Sequence, residues 1–120
     1  MNDKYTVKQW KLQNYQINEE AFGESKLPPA IEEMILTQSG ICKVDFVRSD
    51  NLLRLRLRQN KIKEFAVKKD TYPFLQLLDI SENIIETLDL RLVDLPRLTT
   101  LLVEQNQITQ IITKGTPNQD

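Results

Sequence analysis

The stretch Leu52-Leu53-Arg54-Leu55-Arg56-Leu57-Arg58-Gln59-Asn60-Lys61-Ile62 decides the fold, because its pattern returns twice further along the chain. Leu75-x-x-Leu78-x-Ile80-x-x-Asn83-x-Ile85 and Leu98-x-x-Leu101-x-Val103-x-x-Asn106-x-Ile108 carry the same apolar slots and the same asparagine, each 23 residues after the last. The register extends past the phrase: Phe65, Leu88 and Ile111 follow the three asparagines by five residues, and Pro73 and Pro96 follow the first two by thirteen. A fixed period of this length marks stacked supersecondary units.

Two weaker copies lie upstream. Ile31-x-x-Met34-x-Leu36-x-x-Ser39-x-Ile41 places Ser39 in the asparagine slot, with Val44 five residues later. Leu12-x-x-Tyr15-x-Ile17-x-x-Glu20-x-Phe22 places Glu20 there and predicts an irregular first coil. The phrase L-x-x-L-x-L-x-x-N-x-I resembles the leucine-rich-repeat signature, over roughly residues 12 to 111. The absence of cysteine-bonded ends makes it similar to the small intracellular members of that family. The resemblance implies an α/β-type repeat solenoid, a right-handed coil with a short parallel β-sheet on the concave face and turns or short helices on the convex one.

Side-chain alternation explains the residue types. In a short strand Leu55 and Leu57 point into the solenoid while Arg54, Arg56 and Arg58 point out. One coil cannot bury its own apolar side, so stacking supplies the core. Ser39, Asn60, Asn83 and Asn106 form the structural ladder, since an amide at the turn off each strand satisfies backbone groups that would otherwise be buried unpaired. The segments 66–71 and 89–94 have room for one or two helical turns before Pro73 and Pro96 stop them.

The chain is expected to be one leucine-rich-repeat domain of about five coils over residues 1–112, with 1–11 as an N-terminal cap and 113–120 as a polar tail. In the cap Trp10, with Tyr5 and Val7, is expected to fold over the first coil. The start Met1-Asn2-Asp3-Lys4 does not read as a signal peptide, and no apolar run is long enough to span a membrane.

Composition narrows the chemistry. There are 16 Lys+Arg against 17 Asp+Glu, no histidine and a single cysteine, which removes Ser-His, Cys-His and Cys/His zinc arrangements and internal disulfides. Asp79 and Glu82 share an outward-facing strand, yet a shallow sheet with arginines beside it gives no means of separating their pKa values. Cys42 follows inward-pointing Ile41 and reads as a buried thiol. The expectation is no catalysis, no cofactor, no metal and no small-molecule substrate.

What remains is binding. The outward columns bring together Arg54, Arg56 and Arg58, with Glu33 on one side and Asp79 and Glu82 on the other. Arg56 and Asp79 are expected as neighbours across adjacent strands. This row reads either as an exposed salt ladder or as a dock for an acidic segment or phosphate. Ile35, Leu77 and Leu102 are apolar in outward slots, and with Glu104 they complete the candidate partner-binding set. Behind the last strand no further coil covers Ile108, Ile111 and Ile112, so that edge is a second candidate contact. The expected function is a protein-interaction module, an adaptor or structural subunit of a larger assembly. The expected setting is cytoplasmic, with nucleus or cytoskeleton and cilium as other settings. The alternative is nucleic-acid binding through Arg54, Arg56 and Arg58, opposed by the interleaved acids and the lack of stacking aromatics.

Overall fold

The computed structural model describes residues 7–19 and 26–114. Five strands, β1 (Gln9–Gln13), β2 (Glu33–Thr37), β3 (Arg54–Arg56), β4 (Leu77–Asp79) and β6 (Thr100–Leu102), form one parallel sheet in the order β1-β2-β3-β4-β6. Each strand pairs with the next through a full turn of chain, so the molecule is a parallel-β repeat solenoid. Among the described residues no helix is long and apolar enough to cross a membrane.

The 23-residue register places equivalent residues side by side: Leu55 pairs Leu78, and Leu78 pairs Leu101. Met34, Leu55 and Leu78 are all fully buried, as are the second inward positions Leu57 and Ile80 and the post-asparagine positions Ile41, Ile62 and Ile85. Tyr72, which no repeat slot announced, is also fully buried, and its hydroxyl donates to the Val44 carbonyl at 2.7 Å. Its burial in this core pushes the phenol pKa far up.

The asparagines do the expected work. Asn60 Oδ1 accepts from the amides of Ser39 (2.9 Å) and Ile41 (3.0 Å), while its Nδ2 donates to the carbonyls of Leu36 (2.7 Å) and Arg58 (3.0 Å). Asn83 accepts from the Ile62 amide and donates to the carbonyls of Leu57, Ile80 and Ser81. Asn106 accepts from the Ile85 amide and donates to Ile80 and Val103. Ser39 is too short for this: its hydroxyl donates within its own turn, to the Thr37 carbonyl at 3.1 Å.

Immediately before each ladder position the backbone is left-handed, at Gln38, Gln59, Glu82 and Gln105 (φ 53° to 59°). That conformation costs a non-glycine residue about 1–2 kcal/mol, and the cross-coil hydrogen bonds offset it. Asn14 (φ 58°) shares the feature, which moves the first coil. Trp10 pairs Met34 and Leu12 pairs Leu36, so the first copy reads Val7-x-x-Trp10-x-Leu12-x-x-Tyr15-x-Ile17, with Tyr15 in the ladder slot. The sequence register ending on Glu20 is five residues late. Tyr15 fits neither an inward strand slot nor a ladder role and is 63% exposed. Trp10 is thus an inward strand residue, not a cap laid over the coil; Tyr5 and Phe22 lie outside the described residues.

The return segments also differ from expectation. Residues 66–71 are not helical, and Val67 bridges Val93 in parallel. Of these two return segments, 89–94 alone holds a helical piece: Leu90–Leu92 forms a single 3-10 turn, capped by Asp89, whose carboxylate accepts from the Arg91 amide. A second parallel sheet joins β5 (Thr87–Asp89) to β7 (Gln110–Ile112). Extended segments win here because their backbone groups can pair with the equivalent segment of the neighbouring coil, whereas one isolated helical turn leaves most of its own groups unpaired.

Removing the ladder amide at mid-stack should be costly. Asn83→Ala is expected to lower stability by about 1–3 kcal/mol in urea denaturation, and Asn106→Ala by less, because its surroundings are partly open to water. Equal stability of Asn83→Ala and the parent protein would contradict the ladder.

Candidate functional site

The outward face of the main sheet is built by strand alternation, which presents Arg54 and Arg56 of β3 beside Glu33 and Ile35 of β2 and Leu77 and Asp79 of β4. The sequence-predicted neighbours Arg56 and Asp79 are indeed register partners. Their charges, however, pair diagonally. Arg56 Nε donates to Glu33 at 2.9 Å, and Arg54 Nε lies 3.6 Å from the same carboxylate. Arg58 takes the other side, donating to Asp79 at 3.1 Å and to Glu82 at 2.9 Å. Three guanidiniums thus face three carboxylates, and the row is an ion-pair ladder with no cation left over.

Two placements differ from the sequence reading. Glu82 is not on the strand: β4 ends at Asp79, and Glu82 sits in the left-handed turn position, bonded through its carboxylate to Gln59 and Arg58. Asp79 is not solvent-facing either. It is 2% exposed, covered by Arg58, and its Oδ1 also accepts from the Ser81 amide. Ser81, in an outward column, is likewise buried and accepts from the Glu104 amide at 3.1 Å.

Electrostatics follow from these contacts. The hydrogen bond from Gln9 and, behind it, the Arg56 and Arg54 guanidiniums hold the Glu33 carboxyl below its ordinary 4.5, against the opposing effect of partial burial. Gln59 and Arg58 do the same for Glu82. Asp79, ahead of Glu82, raises the Arg58 pKa.

The apolar members divide. Ile35 stands between Lys11 and Arg56 and is half-buried. Leu77 and Leu102 are closer to one another, because Leu77 pairs Thr100 and Asp79 pairs Leu102, which sets the two leucines diagonally across β4 and β6. Exposed Glu104 follows directly, so Leu77, Leu102 and Glu104 collect at the C-terminal end of the sheet.

That end differs from the middle of the stack. Leu75, Leu78, Ile80 and Ile85 are fully buried, whereas their equivalents Leu98, Leu101, Val103 and Ile108 are only partly so, and Ile111 of β7 is 60% exposed. The backbone shows the same break. The amides of Leu57 and Gln59 donate to Asp79 and Ser81 of the next coil, and those of Ile80 and Glu82 donate to Leu102 and Glu104. The equivalent amides of Val103 and Gln105 have no acceptor among the described residues.

Cys42 corrects another expectation. Ile41 fills the inward slot, so alternation turns Cys42 outward, and its thiol is exposed. It donates weakly to the Gly40 carbonyl at 3.6 Å. Sequence reading also missed a trough beside it. Hollows of about 730, 800 and 530 Å³ run across the coils on the flank between the ladder turns and the return segments. The signal available in the sequence was the lysine set Lys43, Lys61, Lys63 and Lys68 clustered after the ladder positions.

Compared with protein-family models, curated proteins and solved structures, the chain matches none of them.

The ion-pair ladder should have an uneven stability profile. Arg58→Ser leaves nearly buried Asp79 without its cation and is expected to cost about 1–3 kcal/mol, whereas Arg54→Ser, at the rim, should cost under about 1 kcal/mol. Chemical denaturation of the two variants checks the order. Because Glu33 and Glu82 are held below their ordinary value in the fold, their contribution is complete above about pH 4.5 and lost as pH falls through the lowered values. Stability measured from pH 6 down to 3 should decline, and Glu33→Gln should make that decline shallower.

Proposed function

We propose that this chain is a leucine-rich-repeat protein of the small, cysteine-cap-free type that acts as a non-catalytic protein-interaction module inside the cell, an adaptor or structural subunit of a larger assembly such as a cytoskeletal or axonemal one. The repeat phrase and the asparagine ladder support the family reading. The contact surface is the C-terminal end of the sheet: Leu77, Leu102 and Glu104 on the outward face, continuous with half-buried Leu101, Val103 and Ile108 and with exposed Ile111.

The observation that carries this reading is the break in the ladder at that end. The Val103 and Gln105 amides repeat the positions that receive an acceptor from the next coil everywhere upstream. An extended segment of a partner laid along β6 supplies both the missing acceptors and the cover for the last apolar layer. The arginine row belongs to the supporting structure, because each guanidinium already has a carboxylate. Matched charge of this kind also weighs against the alternative of nucleic-acid binding, which draws affinity from cations free to displace counterions.

Hydrogen exchange on the chain alone and on the complex recovered at gentle salt tests the proposal. Amides from Leu101 to Ile111, Val103 and Gln105 foremost, should exchange fast in the isolated chain and slow in the complex, while those of Leu55 to Ile62 are protected in both. Protection of Val103 and Gln105 in the monomer equal to that of Leu57 and Gln59 would overturn it.

A further inference from the structure

We propose that the central hollow of the flank trough is a docking site for a short extended acidic segment carrying an apolar side chain, a site separate from the C-terminal edge and independent of it. The first observation is continuity. The hollow beside coil one shares Cys42, Lys43, Asp45 and Lys68 with the central hollow, and the central hollow shares Lys63, Glu64, Ile84 and Leu92 with the one beside coil four. The central hollow spans the three coils that carry Cys42, Lys61 and Ile84 and opens into a further hollow at each end; its run is about 10 Å at the spacing of parallel strands, enough for about three residues of extended chain.

Charge is the second observation. The central hollow of about 800 Å³ is lined by four lysines, Lys43, Lys61, Lys63 and Lys68, against two acids, Asp45 and Glu64. None of the four ammonium groups lies in an ion pair among the described residues. Asp45 accepts from the Lys68 amide, and the further acids Glu19, Glu86 and Asp89 line the flanking hollows and not the central one. The sheet face, by contrast, neutralises each arginine internally. The central hollow thus holds an excess of positive charge in a protein of formal net charge -1.

The floor supplies the third. Ala66 and Ile84 are partly exposed in the trough, and Leu92 is 46% exposed at its end. Aliphatic groups between ammonium rims suit a peptide whose carboxylates flank an apolar side chain. They do not suit a single-stranded nucleic acid, which wants a stacking ring; the nearby rings of Phe46 and Phe65 are buried in the core.

The lone cysteine makes the test direct, since Cys42 lines the trough and is exposed. A fluorescein-labelled peptide of repeating Asp-Leu-Glu is titrated against the full chain by anisotropy, and the rate of maleimide addition to Cys42 is followed with and without unlabelled peptide. Expected are saturable binding, slowed alkylation, affinity about tenfold weaker in K61E/K63E, a loss of a few-fold in Leu92→Ser, and no change in Arg54→Ser. If K61E/K63E loses its native circular dichroism, Lys61→Gln with Lys63→Gln takes its place. The proposal is overturned if the peptide does not bind at low salt, or binds without slowing Cys42 alkylation. It is equally overturned if an oligothymidine of equal charge protects Cys42 as well as the peptide does and Leu92→Ser changes neither ligand.

Discussion

The structure depends on a single kind of contact, the side-chain amide of an asparagine reaching from one coil to the backbone of the coil before it. A solenoid turns its chain once per repeat, and the turn leaves amides and carbonyls pointing at the core, where water cannot serve them. Asn60 closes four such bonds by itself, two as acceptor and two as donor. Only asparagine offers both functions on so short a stem, with an acceptor for an amide and two donors for carbonyls. The left-handed residue in front of each ladder position is the geometric complement, since it swings the strand end round so that the amide meets its partners.

From that constraint the rest follows by stacking. Each amide bridge fixes the vertical register, the register lines up Leu55 with Leu78 and Leu101, and the aligned columns exclude water from the interior. The same register fixes which charges can meet on the outer face. Arg54, Arg56 and Arg58 would repel one another on a single coil, and the flanking coils place Glu33, Asp79 and Glu82 within reach of them. The row that looks most like a binding site in the sequence is in this sense part of the scaffold, leaving the unmatched lysines of the flank and the open end of the ladder as the surfaces with unsatisfied chemistry.

The ends show what happens where the ladder thins. Ser39 keeps its hydrogen bond within its own turn, and the coil before it has Tyr15 in the ladder slot, exposed, with Trp10 and Leu12 only partly buried. At the other end Asn106 reaches back to Ile85 and Ile80 as its counterparts do, yet the layer it closes is half-open. Coils with neighbours on both sides are dry; coils with one neighbour are not, which is the one-dimensional logic of a repeat stack.

The sequence by itself determined the period, the asparagine ladder, the core columns from Ile31 to Ile85 and the strand register of Arg56 beside Asp79, because each of these is a local rule repeated at constant spacing. It misplaced the first coil by five residues, since with Tyr15 in the ladder slot only the shared left-handed turn at Asn14 reveals the register. Tertiary structure alone decided the diagonal pairing of the arginines, the burial of Asp79, the extended return segments and the exposure of Cys42. All of these depend on which groups of a neighbouring coil come within a few ångströms, a distance that a 23-residue separation along the chain does not encode.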